Sequence, residues 1–98
     1  MAEHAHVVRV TTFAPAGERH DDLVAACRQM ATESGETDGC FGAQVCEVSE
    51  RPGRVAVVSR WRDRSSLDSF VSANTPRLKG LGPLLAEPPE TFHYVALG

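Results

Sequence analysis

Two side chains able to transfer a proton stand next to each other near the C-terminus. His93 and Tyr94 are adjacent in segment 91–97, which has the apolar, β-branched character of a strand. Because neighbouring side chains of a strand point to opposite faces, only one of the two can enter a given cavity. An imidazole with an ordinary pKa of about 6.5 can remove a proton from a phenol or from carbon. A purely structural histidine is the alternative that the sequence leaves open.

Trp61 and Asn74 are further candidates for contact with a small molecule. Trp61 is the single tryptophan and ends a segment with the pattern of a strand. Its ring therefore either stacks on a planar ligand or belongs to the core. Asn74 lies near the predicted end of a helix, where its amide either binds a carbonyl group or caps the helix. The sequence leaves a ligand contact and a structural role open for Trp61 and for Asn74.

The sequence contains no recognisable metal or cofactor motif. The three cysteines, Cys27, Cys40 and Cys46, have no CxxC spacing, and we interpret them as reduced, mostly buried side chains. His4 and His6 would place two imidazoles on one strand face, but no third ligand is evident. No glycine-rich dinucleotide turn is recognisable either. We therefore expect neither a metal nor a cofactor.

Composition and charge limit the possible partners. The formal net charge is −3 and the basic residues are scattered, with a cluster only at Arg60, Arg62 and Arg64. This distribution disfavours a nucleic-acid surface. No apolar run approaches the roughly 18 residues of a membrane span, and the first residues lack a signal-peptide pattern. We therefore expect a cytoplasmic protein without a nucleic-acid or membrane partner, and a single domain over residues 1–98 with residues 1–5 disordered.

The periodicity of the apolar residues predicts the scaffold that positions these side chains. Alternating or β-branched segments predict strands, and apolar residues three and four apart predict amphipathic helices. Asp63 is expected to cap the second helix and Pro76 to mark its end. The predicted elements are strands at 6–13, 41–48, 54–61 and 91–97, and helices at 18–34 and about 63–76. This β-α-β-β-α-β order predicts a ferredoxin-like α+β fold, a four-stranded antiparallel sheet with both helices on one side.

The first strand carries apolar residues on both of its faces. The two sets are Val7, Thr11 and Phe13 on one face and Val8, Val10 and Thr12 on the other. Because the helices cover only one face of the sheet, the other face needs a second cover. We therefore predict a homodimer that is held together by this second face.

Several turns and strand ends follow one another in the order typical of a known family. They are Asp38-Gly39-Cys40-Phe41-Gly42, Pro52-Gly53, Ser59-Arg60-Trp61 and Ser65-Ser66-Leu67-Asp68. In this order and spacing the chain resembles the antibiotic biosynthesis monooxygenase (ABM) family, from about residue 7 to residue 97. The resemblance implies a dimeric α+β barrel that binds a small, often aromatic, molecule between sheet and helices. It also implies that Trp61 shapes this pocket and that Phe70 lines its helical wall.

Members of this family differ in their activity, so the resemblance narrows the site more than the reaction. Some oxygenate anthrone-like polyketides without metal or flavin, others degrade haem, and others have no known activity. The haem-degrading members carry an asparagine near the position of Val10 and a ligating histidine at the position of Phe70, which disfavours haem here. We predict a cofactor-independent monooxygenase-like enzyme for a small aromatic or polyketide-like substrate, with His93 or Tyr94 handling the proton. A non-catalytic binding or accessory dimer of the same fold is the alternative.

Overall fold

The computed structural model of the chain describes residues 6–97. It contains the predicted β-α-β-β-α-β order, with each element boundary except the end of the second helix within two residues of its predicted position. The strands are β1 (Val7–Phe13), β2 (Cys40–Glu47), β3 (Val55–Trp61) and β4 (Glu90–Val95), and the helices are α1 (His20–Gly35) and α2 (Arg64–Lys79). A short 3-10 turn, Gly82–Leu84, precedes β4. The predictions for residues 1–5, His4 among them, lie outside the described residues.

The four strands form one antiparallel sheet in the order β2-β3-β1-β4. This arrangement confirms the predicted ferredoxin-like fold. The two central strands are β1 and β3, and β4 is an edge strand. The edge position of β4 matters for function because it carries the predicted proton-transferring residues.

The residues of β1 alternate between two surroundings, as the sequence predicts. Val7, Thr11 and Phe13 are buried on the face that the helices cover, which we call the helix side. Val8 and Val10 are only half-buried on the opposite face, which we call the outer face. The apolar character of both faces is therefore a property of the folded chain.

Two hydrophobic clusters occupy opposite ends of the helix side. The first cluster contains Phe13, Leu23, Cys27, Val55 and Leu81. The second cluster contains Val7, Trp61 and Leu67, with Cys40, Phe70 and Val71 packed against them. Each cluster is anchored on one end of the β1–β3 ladder, where Phe13 pairs with Val55 and Val7 pairs with Trp61. The middle of the ladder lies between the clusters and is less apolar.

The turn before β2 fits closely against the start of α2. Gly39 has a φ of +86°, and a Cβ at this position would lie 2.4 Å from the hydroxyl oxygen of Ser66. The Arg62 N–H donates to the Gly39 carbonyl at 2.7 Å. Asp63 caps α2, because its carboxylate accepts a hydrogen bond from the Ser66 N–H at 2.8 Å. The predicted cap is confirmed, and glycine is required at position 39 both by its backbone conformation and by lack of space.

The prediction that α2 ends at Pro76 is wrong. The helix continues to Lys79, and the Gly80 N–H donates to the Pro76 carbonyl at 3.0 Å. Because proline removes an N–H donor from a helix, this last turn needs contacts from elsewhere. Leu78 packs against the first cluster, and Arg77 forms an ion pair with a glutamate of α1. Tertiary contacts therefore hold a turn that local propensity disfavours.

Candidate functional site

Between the two clusters, the helix side of the sheet is polar. Register places Arg9 of β1 between Ser59 of β3 and His93 of β4. In an adjacent row Thr11 pairs with Thr91, and their hydroxyl oxygens are 3.0 Å apart. We call these five residues the polar band. They are polar side chains that β1, β3 and β4 place on the helix side between the two clusters.

The register of β4 distinguishes the two adjacent candidates near the C-terminus. His93 pairs with Arg9 of the helix side, whereas Tyr94 pairs with Val8 of the outer face. Because side chains alternate along a strand, His93 belongs to the polar band and Tyr94 points the other way. Tyr94 is 55% exposed on the outer face. A ligand between sheet and helices would therefore contact His93 and not Tyr94.

Helix α2 leaves the helix side of β4 open. All six residues of β4 are exposed, including Thr91 and His93. The first half of α2 is fixed to the sheet by Leu67, which is completely buried beside Trp61. We call the space between α2 and β4 the α2–β4 cleft. On this side Thr91 and His93 are exposed, whereas Thr11 and Ser59 of the polar band are buried.

A groove of about 490 Å³ lies at the C-terminal end of α2. Its lining includes Thr75 and Leu78 of α2, and Leu85, Pro88 and Pro89 of the segment before β4. The volume is in the range of small-molecule sites. Neither Trp61 nor Phe70 nor His93 lines this groove, so the predicted aromatic wall and the groove are separate places. The groove lies at the C-terminal end of α2, whereas Arg64 and Asp68, whose charges act on His93, lie near the N-terminal end of this helix.

The surroundings of His93 favour its neutral form. Partial burial lowers the pKa of His93, the positive charges of Arg64 and Arg9 lower it further, and the carboxylate of Asp68 acts in the opposite direction. Arg64 and Asp68 lie on the first turns of α2 and are joined by a hydrogen bond of 2.9 Å. A histidine with a lowered pKa is neutral at physiological pH, and a neutral imidazole can accept a proton.

Arg9 is the residue of this site to which the sequence assigned no role, although it is the only charged residue of β1. Its Nε atom is closed to solvent and has no hydrogen-bond partner within residues 6–97. Burial lowers the pKa of its guanidinium, which nevertheless stays charged at neutral pH. The signal was present in the alternation of β1, because Arg9 shares its face with the buried Val7, Thr11 and Phe13.

Trp61 lies inside the second cluster. It has no exposed surface, and its Nε1–H donates to the Ser59 hydroxyl at 2.8 Å. The centroid of its ring system is 5.1 Å from that of Phe70, which is half-buried. A ligand can therefore meet the exposed part of Phe70 directly, but it can meet Trp61 only if side chains of the second cluster move. The structure places Trp61 in the core, and its predicted contact with a ligand stays a prediction.

Asn74 and Thr75 are half-buried in the interior of α2, because the helix is longer than predicted. The Asn74 amide nitrogen donates to the Phe70 carbonyl at 2.9 Å, and the Thr75 hydroxyl donates to the Val71 carbonyl at 2.8 Å. Asn74 therefore does not cap the helix. Its amide oxygen is the atom that would serve a ligand.

The cysteines differ in their surroundings. Cys27 is buried in the first cluster, and this burial raises the pKa of its thiol to about 11. Cys40 is half-buried, and Cys46 is exposed on β2. The expectation that the cysteines are mostly buried therefore fails for Cys46. In the part of the chain that the structure describes, no three His, Cys, Asp or Glu side chains are grouped to hold a metal ion.

The sequence profile of the antibiotic biosynthesis monooxygenase family matches residues 6–75, well over half of the chain. None of the curated proteins matches the chain significantly. Neither helix described between residues 6 and 97 is long and apolar enough to cross a membrane.

Several solved structures are similar to the whole chain. Rv0793 from Mycobacterium tuberculosis has a TM-score of 0.84 at 23% identity, over 95% of this chain and 96% of that chain. A conserved protein from Methanosarcina mazei Go1 has a TM-score of 0.83 at 19% identity, over 94% and 93%. A candidate antibiotic biosynthesis monooxygenase from Deinococcus radiodurans has a TM-score of 0.84 at 19% identity, also over 94% and 93%. At these identities the likeness shows the fold alone.

Proposed function

The chain belongs to the antibiotic biosynthesis monooxygenase family, and from this premise we propose that it is a cofactor-independent monooxygenase-like enzyme. Its substrate is a small aromatic or polyketide-like molecule bound in the α2–β4 cleft. The observation that carries the proposal is the position of His93, a titratable group on the helix side of β4 with a lowered pKa. An oxygenase without a cofactor needs a base beside a weakly acidic carbon, and His93 meets this need.

In the proposed reaction, the substrate itself supplies the electrons. His93 takes one proton from an activated methylene group, such as that of an anthrone. The resulting carbanion reduces molecular oxygen to a hydroperoxide, which recovers the proton from the imidazolium. Loss of water from the hydroperoxide then leaves a carbonyl group, so that one methylene and one oxygen molecule give one ketone and one water. The protein orients the substrate and accepts a single proton.

The remaining predicted residues would bind the body of the substrate. Phe70 is the accessible aromatic side chain of the second cluster. The ring of Trp61 packs against the ring of Phe70 and so helps to hold it in position. The amide oxygen of Asn74 can accept a hydrogen bond from a substrate hydroxyl. The groove at the end of α2 supplies room for further rings. These roles support an elongated, planar substrate that lies along the cleft.

The pH dependence of the reaction should report on His93. Because the pKa of His93 is lowered, the rate should fall only at a pH below the ordinary histidine value of about 6.5 and stay constant from there through neutral pH. Protonation at lower pH removes the base, so the rate must fall with acid and not with alkali in this range. We propose initial-rate measurements of the wild type across this range. A rate that begins to fall above neutral pH as the pH is lowered would contradict a lowered pKa.

We further propose a homodimer in which the outer faces of two sheets pack together. The outer face exposes Phe92 and Tyr94, each at 55%, next to the half-buried Val8 and Val10. Large apolar side chains exposed on one face of a sheet are stabilised when another surface buries them. The same face of a second copy can bury them in a symmetric interface. Family members are typically dimers, which supports the same arrangement. The cytoplasmic location stays a prediction.

Sedimentation should therefore give twice the chain mass of 10.6 kDa at micromolar concentration. Phe92→Glu should shift the protein to monomer, because it places a charge in the apolar interface. Ser69→Glu, on an exposed position of α2, is the matched control and should stay dimeric. A monomeric wild type, or a Phe92→Glu variant that remains fully dimeric, would contradict this interface.

The composition of the groove supports the alternative function, a non-catalytic binding dimer. The groove is lined mainly by apolar side chains, and His93 is not among them. A ligand held entirely in the groove would not reach the base. Tight binding of an aromatic molecule without any oxygen consumption would favour this second function.

A further inference from the structure

We propose that the α2–β4 cleft takes a substrate that bears a carboxylate, and that the guanidinium of Arg9 binds this group. The inference concerns the site of the proposed function and rests on that site, but it does not depend on the oxygenation reaction. It assigns to the cleft a chemical class of ligand, an aromatic carboxylic acid in its ionised form.

The first observation is that the charge of Arg9 has no partner. Within residues 6–97, no carboxylate lies within ion-pair distance of Arg9, and its Nε atom is buried without a hydrogen bond. The arginines that do contact a carboxylate are Arg19, Arg54, Arg62, Arg64 and Arg77. The other arginines without a carboxylate partner within residues 6–97, Arg28, Arg51 and Arg60, are exposed. Among residues 6–97, Arg9 is therefore the partly buried arginine that has no carboxylate partner.

The second observation is that none of residues 6–97 places an acidic group within ion-pair distance of Arg9. The helix-side positions of β1, β3 and β4 carry no aspartate or glutamate. The nearest carboxylate of α2 that acts on His93, Asp68, is already bound to Arg64. Placing a cation in partly desolvated surroundings is costly unless an anion joins it. Because residues 6–97 supply no such anion, we assign this role to a bound ligand.

The neighbours of Arg9 fit a carboxylate in particular. A guanidinium presents a planar fork of N–H groups that matches the two oxygens of a carboxylate. The Ser59 hydroxyl oxygen accepts from Trp61 and leaves its own O–H to donate. His93 is neutral and can donate from one ring nitrogen while the other accepts. The site therefore combines one uncompensated positive charge with two further donors.

The apolar surroundings identify the source of the anion as an organic acid. Phe70 lies in the second cluster beside the polar band, and the groove beyond Thr75 is mainly apolar. An inorganic anion would use only the charge of Arg9 and would leave these surfaces unused. An aromatic carboxylate uses both, because its ring can rest against Phe70 while its charge meets the guanidinium.

The experiment compares two probes of the same shape, the anion 2-naphthoate and the neutral 2-naphthamide, by isothermal titration calorimetry on the full chain. The wild type should bind 2-naphthoate at least about tenfold more tightly, the size expected for a charge-assisted hydrogen bond. Arg9→Met should abolish this preference, and Arg9→Lys should retain part of it. Arg60→Met, an exposed arginine on the outer face of β3, is the matched control and should keep the full preference. Inorganic phosphate should compete only weakly.

Three results would overturn the proposal. These are a wild type without preference for 2-naphthoate, a preference that survives in Arg9→Met, and no detectable binding of 2-naphthoate at millimolar concentration. Should Arg9→Met fail to fold, the Nε–H nuclear magnetic resonance of Arg9 in the wild type decides. It must shift with 2-naphthoate but not with 2-naphthamide. If ligand binding depends on Arg9 but no oxygen is consumed, the oxygenase proposal fails and the carboxylate inference stands. If the protein oxygenates only neutral substrates, the oxygenase proposal stands and the carboxylate inference fails.

Discussion

Replacing His93 by alanine is expected to lower the turnover of an anthrone substrate by roughly a hundredfold or more, the usual contribution of a general base. The imidazole lies on the helix side of β4, and its lowered pKa keeps it ready to accept the methylene proton. Without the imidazole the substrate still binds, but its methylene proton can be transferred only to water. The change should therefore appear in kcat and less in KM. Oxygen consumption and carbonyl formation measure it directly.

The chain offers two matched controls for this variant. Tyr94→Phe alters the adjacent residue on the outer face, and His20→Ala removes a histidine at the start of α1. Both should keep wild-type turnover, and activity should persist with chelators and without an added reductant. If the wild type oxidises several anthrones no faster than buffer does, the oxygenase proposal fails. If Tyr94→Phe is impaired and His93→Ala is not, the family assignment stands but the base has been assigned to the wrong residue.

The fold could be predicted from the sequence because its signals are local and agree with one another. The alternation in β1, the Asp38-Gly39 turn and the Asp63 cap each depend on residues close together in the chain. The end of α2 could not be predicted in this way. Pro76 carries a strong local signal to stop, but Leu78 is held by a cluster built from α1 and distant strands. A contact between residues far apart in sequence outweighed the local preference.

The site could be predicted only in part, for a related reason. Alternation shows that His93 and Tyr94 face opposite sides, but the side of each follows from the register between β4 and β1. Arg9 shares a face with buried residues, which the sequence shows. Its lack of a hydrogen-bond partner at Nε depends on which side chains α2 and β4 place near it, which the sequence does not show. The openness of β4 also depends on where α2 lies. Sequence pattern therefore identifies the side chains, and tertiary structure decides which of them share a cleft.

Replacing Trp61 by alanine is expected to lower the free energy of unfolding by about 3–5 kcal/mol, the usual cost of removing a large buried aromatic side chain. The ring has no exposed surface, packs against Phe70 and joins β3 to α2. Its loss also takes the indole donor from Ser59. A domain of this size is stable by only about 5–15 kcal/mol, so this loss is a large fraction of its total stability. Urea denaturation at one fixed protein concentration measures the change, because dimerisation makes stability depend on concentration.

Leu97→Ala is the matched control, because that side chain is 98% exposed and its loss should change the free energy of unfolding by less than about 0.5 kcal/mol. The Trp61 experiment separates the two interpretations that the sequence left open. If Trp61 is a core residue, its replacement lowers the free energy of unfolding with or without a ligand. If Trp61 is a wall of the pocket, its replacement mainly lowers the affinity for the ligand. A Trp61→Ala variant that stays stable but no longer binds aromatic ligands would show that the side chains covering Trp61 move in solution. In that case Phe70 would be a movable cover over Trp61, and the cleft would extend from the polar band into the second cluster.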